Sequence, residues 1–181
     1  MNPKSILNVA ALATALVLQT GSAASAATSV ELLSCQKVFE SQVRSFTNVI
    51  YLRLYGCAQK VVECKLAQEI DAVDPTACLA RAATLCGATP VKVSDAETTK
   101  SDKVVQRCGL VPLAELEQYV EGLGFFNVAA SCSAASVSQL VDCVFADARC
   151  STERQLQIID PRAQDSLTTA GVAASFPCVA P

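Results

Sequence analysis

Cys35-x21-Cys57-x6-Cys64-x13-Cys78-x7-Cys86-x21-Cys108 reads almost the same from either end. Paired from the inside out, Cys64 with Cys78, Cys57 with Cys86 and Cys35 with Cys108 share a midpoint near residue 71. Two antiparallel elements facing each other across a turn produce such a shared midpoint. If both arms are helical at 1.5 Å per residue, the step from Cys57 to Cys64 climbs about 10 Å and that from Cys78 to Cys86 about 12 Å. The two inner rungs therefore match in height. Bonded cysteines hold their Cα atoms roughly 5.5–6 Å apart. Cys57 cannot reach Cys64 along one straight helix, so the bridges must cross between the arms. The outer rung has to span an interruption, because Gly87 and Pro90 are expected to break the second arm. Ten cysteines admit roughly 945 pairings, and coincidence is the competing reading of the mirror.

The first arm, residues 30–69, carries a helical stripe. Leu32, Cys35, Phe39, Val43, Phe46, Ile50, Leu54, Cys57, Val61 and Cys64 step by three or four, the period of one apolar helix face. Gly56 is expected to mark a bend. Asp74-Pro75 opens the second arm, with Asp at the N-cap and Pro at the first helical position. A helix over 76–85 then leads into Cys86. Ser94-Asp95-Ala96-Glu97 has the form of a capping box and predicts a helix over 95–107 running into Cys108.

Working outward to the N-terminus, residues 1–26 read as a secretory signal peptide. Lys4 is their one charge, the apolar run is Ile6 to Leu18, and Ala24-Ser25-Ala26 offers a cleavage site. The run is short for a membrane-spanning helix. Leu32-Leu33-Ser34-Cys35 faintly resembles a lipoprotein box, against which Glu31 and the distance from the apolar run both argue. Cleavage after Ala26 leaves 155 of the 181 residues, enough for one domain with a core. That domain would hold 13 Lys and Arg against 17 Asp and Glu, a net charge of −4. Nucleic-acid binding calls for a basic surface and is not expected. All ten cysteines follow Ala26. An even number in an exported chain reads as a disulfide framework and places the protein outside the cell or in the periplasm.

Beyond Cys108, Pro112 predicts a short helix ended by Gly122 and Gly124. Gly122-Leu123-Gly124-Phe125-Phe126 is the most apolar loop of the mature chain. Ser136 and Gln139 form a second capping-box pattern ahead of a helix over 137–158. Asp160-Pro161 repeats the earlier stop and start before a last helix over 162–170, and the tail returns through Phe176 to Cys178. Two segments align without gaps: Leu54-x2-Cys57-x6-Cys64-x9-Asp74-Pro75-x-Ala77 and Leu140-x2-Cys143-x6-Cys150-x9-Asp160-Pro161-x-Ala163. The match suggests a duplicated hairpin. The second copy has Gln164 where the first has Cys78, and Val172 where the first has Cys86, so its bridges must differ. Analogy with the first copy pairs Cys143 with Cys178 and Cys132 with Cys150. The alternative is Cys132 with Cys143 and Cys150 with Cys178, and the spacing does not choose.

Cys35-Gln36-Lys37, Phe46, Leu54 and Cys57 resemble the opening of a group of cysteine-rich secreted proteins of deltaproteobacteria and their relatives. The resemblance continues through Asp74-Pro75-x-Ala77-Cys78-Leu79-Ala80, Cys108-Gly109, Gly122-Leu123-Gly124-Phe125 and Pro161-Arg162-Ala163, which covers most of the mature chain. It implies an exported, disulfide-bonded, mostly helical protein. No activity is known for the group, so it supplies no functional residues.

The chemistry is bounded by what the composition lacks. There is no histidine, which removes Ser-His-Asp and Cys-His catalysis. There is no Cys-x-x-Cys pair, which argues against thioredoxin-like redox chemistry, covalent haem and cysteine zinc sites. Asp71 with Asp74, Glu115 with Glu117 and Asp142 with Asp147 are carboxylate pairs, better read as caps and surface than as acid–base machinery, which needs two carboxyls in different environments in one cleft. Lys100, Lys103 and Arg107 form a small basic face, read as solvated surface. Arg162 reads as a structural ion-pair residue. Phe125 and Phe126 either cap the core or form the mouth of a ligand cavity. The expected fold is all-α: a disulfide-stapled antiparallel hairpin over 30–108 and a second related helical unit over 109–181, with five disulfides. The expected function is a non-enzymatic exported structural or protein-interaction domain, with no cofactor, no metal and no membrane-spanning segment after cleavage. The alternative is a carrier of a lipid or small apolar ligand between the helices.

Overall fold

The computed structural model describes residues 28–118 and 122–179; the signal-peptide reading falls outside them. The fold is all-α, with no strand among the described residues. Helix α1 spans Ser29–Asp71, about 64 Å at 1.5 Å per residue, and is the spine on which the rest packs. It starts at a capping box that the sequence reading overlooked. Thr28 Oγ1 accepts from the Glu31 backbone N–H, and the Thr28 N–H donates to Glu31 Oε2 at 2.8 Å. Gly56, expected to bend the arm, lies within a continuous helix. Cys35, Phe39, Phe46, Ile50, Leu54, Cys57, Val61 and Cys64 are all buried, so the stripe read from spacing is the face that meets the core.

The helix ends at Ala72, in the left-handed region with φ 56°, and the chain turns back at the centre of the cysteine mirror. Asp74 Oδ1 accepts from the Thr76 N–H at 3.0 Å and from its hydroxyl at 2.7 Å. Pro75 already has helical torsions, so Asp74 caps and Pro75 leads α2 (Thr76–Gly87). One residue, Ala88, separates α2 from α3 (Thr89–Cys108). The expected break at Gly87 and Pro90 followed by a helix from 95 is therefore corrected. Pro90 sits in the first turn of α3, where a missing N–H costs nothing because that N–H has no helical partner. Pro90 thus starts the helix instead of interrupting the arm, and Ser94 lies within α3, where it caps nothing.

With α3 continuous, all three rungs of the mirror close. Cα atoms are 5.0 Å apart for Cys35–Cys108, 5.1 Å for Cys57–Cys86 and 5.6 Å for Cys64–Cys78. Polar rungs continue the antiparallel register between α1 and α3: Arg107 Nε donates to Ser34 Oγ at 2.7 Å and Lys100 Nζ to Ser45 Oγ at 2.8 Å. Two cations of the expected basic face are thereby committed to holding the helices together.

The second unit comprises α4 (Leu113–Glu117), α5 (Phe126–Ser131), α6 (Val137–Ile159), α7 (Ala163–Thr169) and two 3-10 turns, Ala173–Ser175 and Pro177–Val179. Helix α4 stops at Gln118, short of the glycines, and α5 was not expected at all. Ser136 caps α6 by accepting from the Gln139 N–H, while Gln139 Oε1 accepts from the Ala135 N–H at 2.7 Å, one residue earlier than a capping box requires. Asp160 Oδ1 accepts from the Arg162 N–H at 3.0 Å, the counterpart of the Asp74 cap. Phe145 of α6 meets Phe46 of α1 with ring centroids 5.2 Å apart, and one core joins both units. Lys65 pairs with Asp165 at 2.5 Å and Glu69 with Arg162 at 2.9 Å, tying the far end of α1 to α7.

The bridges of this unit are Cys132–Cys143 and Cys150–Cys178, with Cα separations of 6.4 and 5.0 Å. Of the two pairings that spacing left open, this is the second; the one drawn by analogy, Cys143 with Cys178 and Cys132 with Cys150, is not formed. Helix α7 ends before position 172, so it offers no second wall as long as α2. Gly171, with φ 75°, turns the tail back along α6. There the Cys178 N–H donates to Glu153 Oε2 at 2.9 Å, which sets Cys178 level with Cys150, about two turns short of Cys143. Cys132 ends α5 just before the α6 cap and reaches Cys143 from the other end. All ten cysteines are bonded.

A disulfide map of the oxidised protein is expected to yield these five pairs, and a peptide joining Cys143 to Cys178 would contradict the structure. Each bridge is worth roughly 2–4 kcal/mol, mostly by restricting the unfolded chain. Reduction should therefore lower the thermal midpoint strongly, and an unchanged midpoint would contradict this account.

Candidate functional site

The expected mouth of a cavity is divided. Gly124 has φ 72°, and a Cβ on Gly122 would collide with the Glu115 carbonyl oxygen. The two glycines therefore permit the close return by which the Gly124 and Phe125 N–H groups donate to the carbonyls of Gln118 and Leu116. That return sets the Phe125 ring 4.6 Å from Phe39. Leu123, Phe125, Val43 and Val144 edge an open cleft of about 370 Å³ that includes the buried Phe39. Phe126 faces elsewhere, is 53% exposed, and borders a different recess beside Ala114 and Gln118. The structure does not bring the two phenylalanines to one opening. Inside, the fully buried Phe46, Phe145, Phe176, Ile50, Leu54 and Leu140 occupy the space between the helices.

Of the expected carboxylate pairs, Glu115 and Glu117 lie half-buried on α4. Asp71, Asp74, Asp142 and Asp147 are exposed, and Asp74 is engaged in its cap. Among the described residues, three carboxyls are displaced from the ordinary range, all downward. Hydrogen bonds from the Thr28 backbone and hydroxyl hold Glu31 low, those from the Thr76 hydroxyl and backbone hold Asp74 low, and the Lys65 ammonium holds Asp165 low.

One charged cluster is buried, and the sequence reading missed it. Glu153 has no exposed surface. Its Oε1 accepts from Arg149 Nε at 3.0 Å and its Oε2 from the Cys178 N–H. Arg149 also donates through Nη1 to Glu97 on α3 at 3.2 Å and through Nη2 to the Ser175 carbonyl at 2.7 Å, and its guanidinium lies 5.7 Å from the centre of the Phe176 ring. Every Glu153 oxygen and every guanidinium nitrogen thus has a partner. The cluster clasps α6, α3 and the tail and leaves no group free for a substrate. Its sequence signal was the i,i+4 spacing of Arg149 and Glu153, which is silent about burial. Among the described residues no group of His, Cys, Asp or Glu could hold a metal ion.

One surface feature with unpaired cations is a groove between α1 and α2 that runs on to the start of α3. One cleft, about 390 Å³, is lined by Lys60, Glu63, Cys64 and Cys78 with Arg81, Ala82 and Leu85. The next, about 300 Å³, is lined by Leu52, Arg53 and Gly56 with Thr84, Leu85, Thr89 and Lys92. Leu85 belongs to both, so the clefts adjoin. Leu52 and Leu85 are 58% and 54% exposed. Lys60 is paired with Glu63 at 2.7 Å, whereas Arg53, Arg81 and Lys92 have no ion pair or side-chain hydrogen bond among the described residues. The Cys57–Cys86 and Cys64–Cys78 bridges fix the two walls against each other. Neither the groove nor its cations were singled out in the sequence, because they come from three elements. No protein-family model, curated protein or solved structure matches the chain.

Glu153→Ala would strand Arg149 and the Cys178 N–H, and with Arg149 partly exposed it should cost about 3 kcal/mol, read from the denaturation midpoint with bridges intact. Lowered native carboxyls bind protons less tightly than their unfolded counterparts. The stability they add is complete above the unfolded pKa and is lost as the pH falls through the native one. The thermal midpoint should therefore drop on acidification below the ordinary carboxylate range, and Glu31→Gln with Asp74→Asn should make the drop shallower.

Proposed function

We propose that the chain is an exported, non-enzymatic domain that acts by binding another protein. The observation that carries the reading is the α1–α2 groove, where exposed leucines and unpaired cations stand on walls pinned by two disulfides, outside an interior filled with side chains. Rigid walls reduce the ordering cost of association, which suits a recognition surface. Five bridges with no free cysteine support an oxidising compartment. Among the described residues no helix is long and apolar enough to cross a membrane. The signal-like segment over 1–26 and the resemblance to cysteine-rich secreted proteins of deltaproteobacteria point the same way. Cys35, buried and joined to Cys108, is spoken for and does not fit a lipoprotein box.

The second reading, a carrier of a small apolar ligand, rests on the open cleft beside Phe125, whereas fully buried side chains fill the space between the described helices. A native mass spectrum of protein purified from an oxidising, secretory host separates the two. The interaction reading expects the mass of the chain cut after Ala26 less ten hydrogens. A heavier species that loses a small molecule on denaturation would overturn it in favour of the carrier.

A further inference from the structure

We propose that the α1–α2 groove takes an acidic, amphipathic segment of a partner protein, its carboxylates on Arg53, Arg81 and Lys92 and an apolar side chain between Leu52 and Leu85. The inference rests on the interaction reading above and adds the chemistry of the partner.

Charge is the first argument. The chain as a whole carries a net charge of −3, yet this groove is lined by Arg53, Lys60, Arg81 and Lys92 against Glu63 alone. Glu63 is already consumed by Lys60, which leaves three cations uncompensated. The nearest further acid by sequence is Asp95, one turn along α3 from Lys92, and no ion pair joins them. Elsewhere Arg149 and Arg162 pair with carboxylates and Lys100 and Arg107 with serine hydroxyls, while Lys37, Lys103 and Arg154, like the three groove cations, have no ion pair or side-chain hydrogen bond among the described residues. The groove thus concentrates positive charge that the fold itself does not use. Such a rim steers and selects an oppositely charged partner.

Shape is the second argument. From Leu52 to Glu63 the groove follows α1 for about 16 Å, the length of about three helical turns or five extended residues. Both clefts are open to solvent on one side, which suits a segment laid in from outside better than an acyl chain in a closed sleeve. The groove is also concave, so it fits a segment laid into it better than a flat lipid surface. Exposed Leu52 and Leu85 supply the apolar contact that a purely ionic site would lack, and area of this kind carries affinity while the rim charges set specificity.

The test is a selection from a displayed library of random peptides against the oxidised protein. The expected result is enrichment of sequences that combine Asp or Glu with Leu, Ile or Phe. Their binding should weaken with added salt and fall by about tenfold or more in the triple variant Arg53→Glu, Arg81→Glu, Lys92→Glu. Lys103→Glu, exposed on α3 outside the groove, should leave binding unchanged. Leu85→Ser, a single change at an exposed position, should weaken the same peptides and serves where the triple variant loses its bridges. Selected peptides without acidic bias, or peptides that bind the triple variant and Leu85→Ser as well as the parent, would overturn the inference. So would sedimentation with phosphatidylcholine–phosphatidylglycerol vesicles that the triple variant loses while no acidic peptide enriches, which would assign the cations to an anionic membrane. A failed selection alongside an empty native mass would sink the groove as the site and leave the interaction reading standing.

Discussion

The structure depends on one constraint, the covalent antiparallel register between α1 and the α2–α3 arm. A helix of 43 residues with a single apolar stripe gains most of its stability from whatever covers that stripe. Here the cover is held at three heights by disulfides, with Ser34 accepting from Arg107 beside the outermost and Ser45 accepting from Lys100 between the outer two. The rungs reduce the freedom of the unfolded chain over loops of 14, 29 and 73 residues, and the entropic gain grows with loop length. A small helical protein with few aromatic residues thereby keeps a spine buried from Cys35 to Cys64.

The second unit uses the same opening moves and reaches a different end. Leu54 and Leu140 are both fully buried, and Asp74 and Asp160 both accept from the N–H two residues on. After that the copies part. The first continues into two full helices that return along the spine. The second has the seven-residue α7 and a tail of 3-10 turns, too short to staple a helix end to end. The buried Glu153 replaces part of that stapling, since it holds the tail through the Cys178 N–H and braces Arg149 against α3. Breaking such a cluster is costly because it leaves a charge without compensation in a poorly hydrated place.

Much of this was legible in the sequence. The stripe on α1 and the three rungs follow from spacing alone, because a helix converts residue number into height. Asp-Pro at 74–75 and 160–161 marked both helix starts. The failures have physical causes. Pro90 obeys the same chemistry as Pro75, and reading it as a breaker hid the first turn of α3. Helix α5 is six residues long, too short to show a period. The Cys143 and Cys150 partners depended on the path of a tail set by the left-handed Gly171 and by a hydrogen bond to Glu153, neither of which spacing encodes. Phe125 was placed against the core and Phe126 away from it, a divergence that two adjacent residues at a helix start conceal. The groove cations lay far apart in the chain, where no local pattern could gather them.

The five bridges have a further property. Three close within 35–108 and two within 132–178, so no sulfur joins the first unit to the second. The halves meet through Phe46 against Phe145, Lys65 with Asp165, Glu69 with Arg162 and Glu97 with Arg149. In covalent terms the molecule is two separately locked rings on one string. A chain severed between residues 109 and 125 would behave as a heterodimer, its halves free to part and to exchange with those of another copy while every disulfide stayed closed.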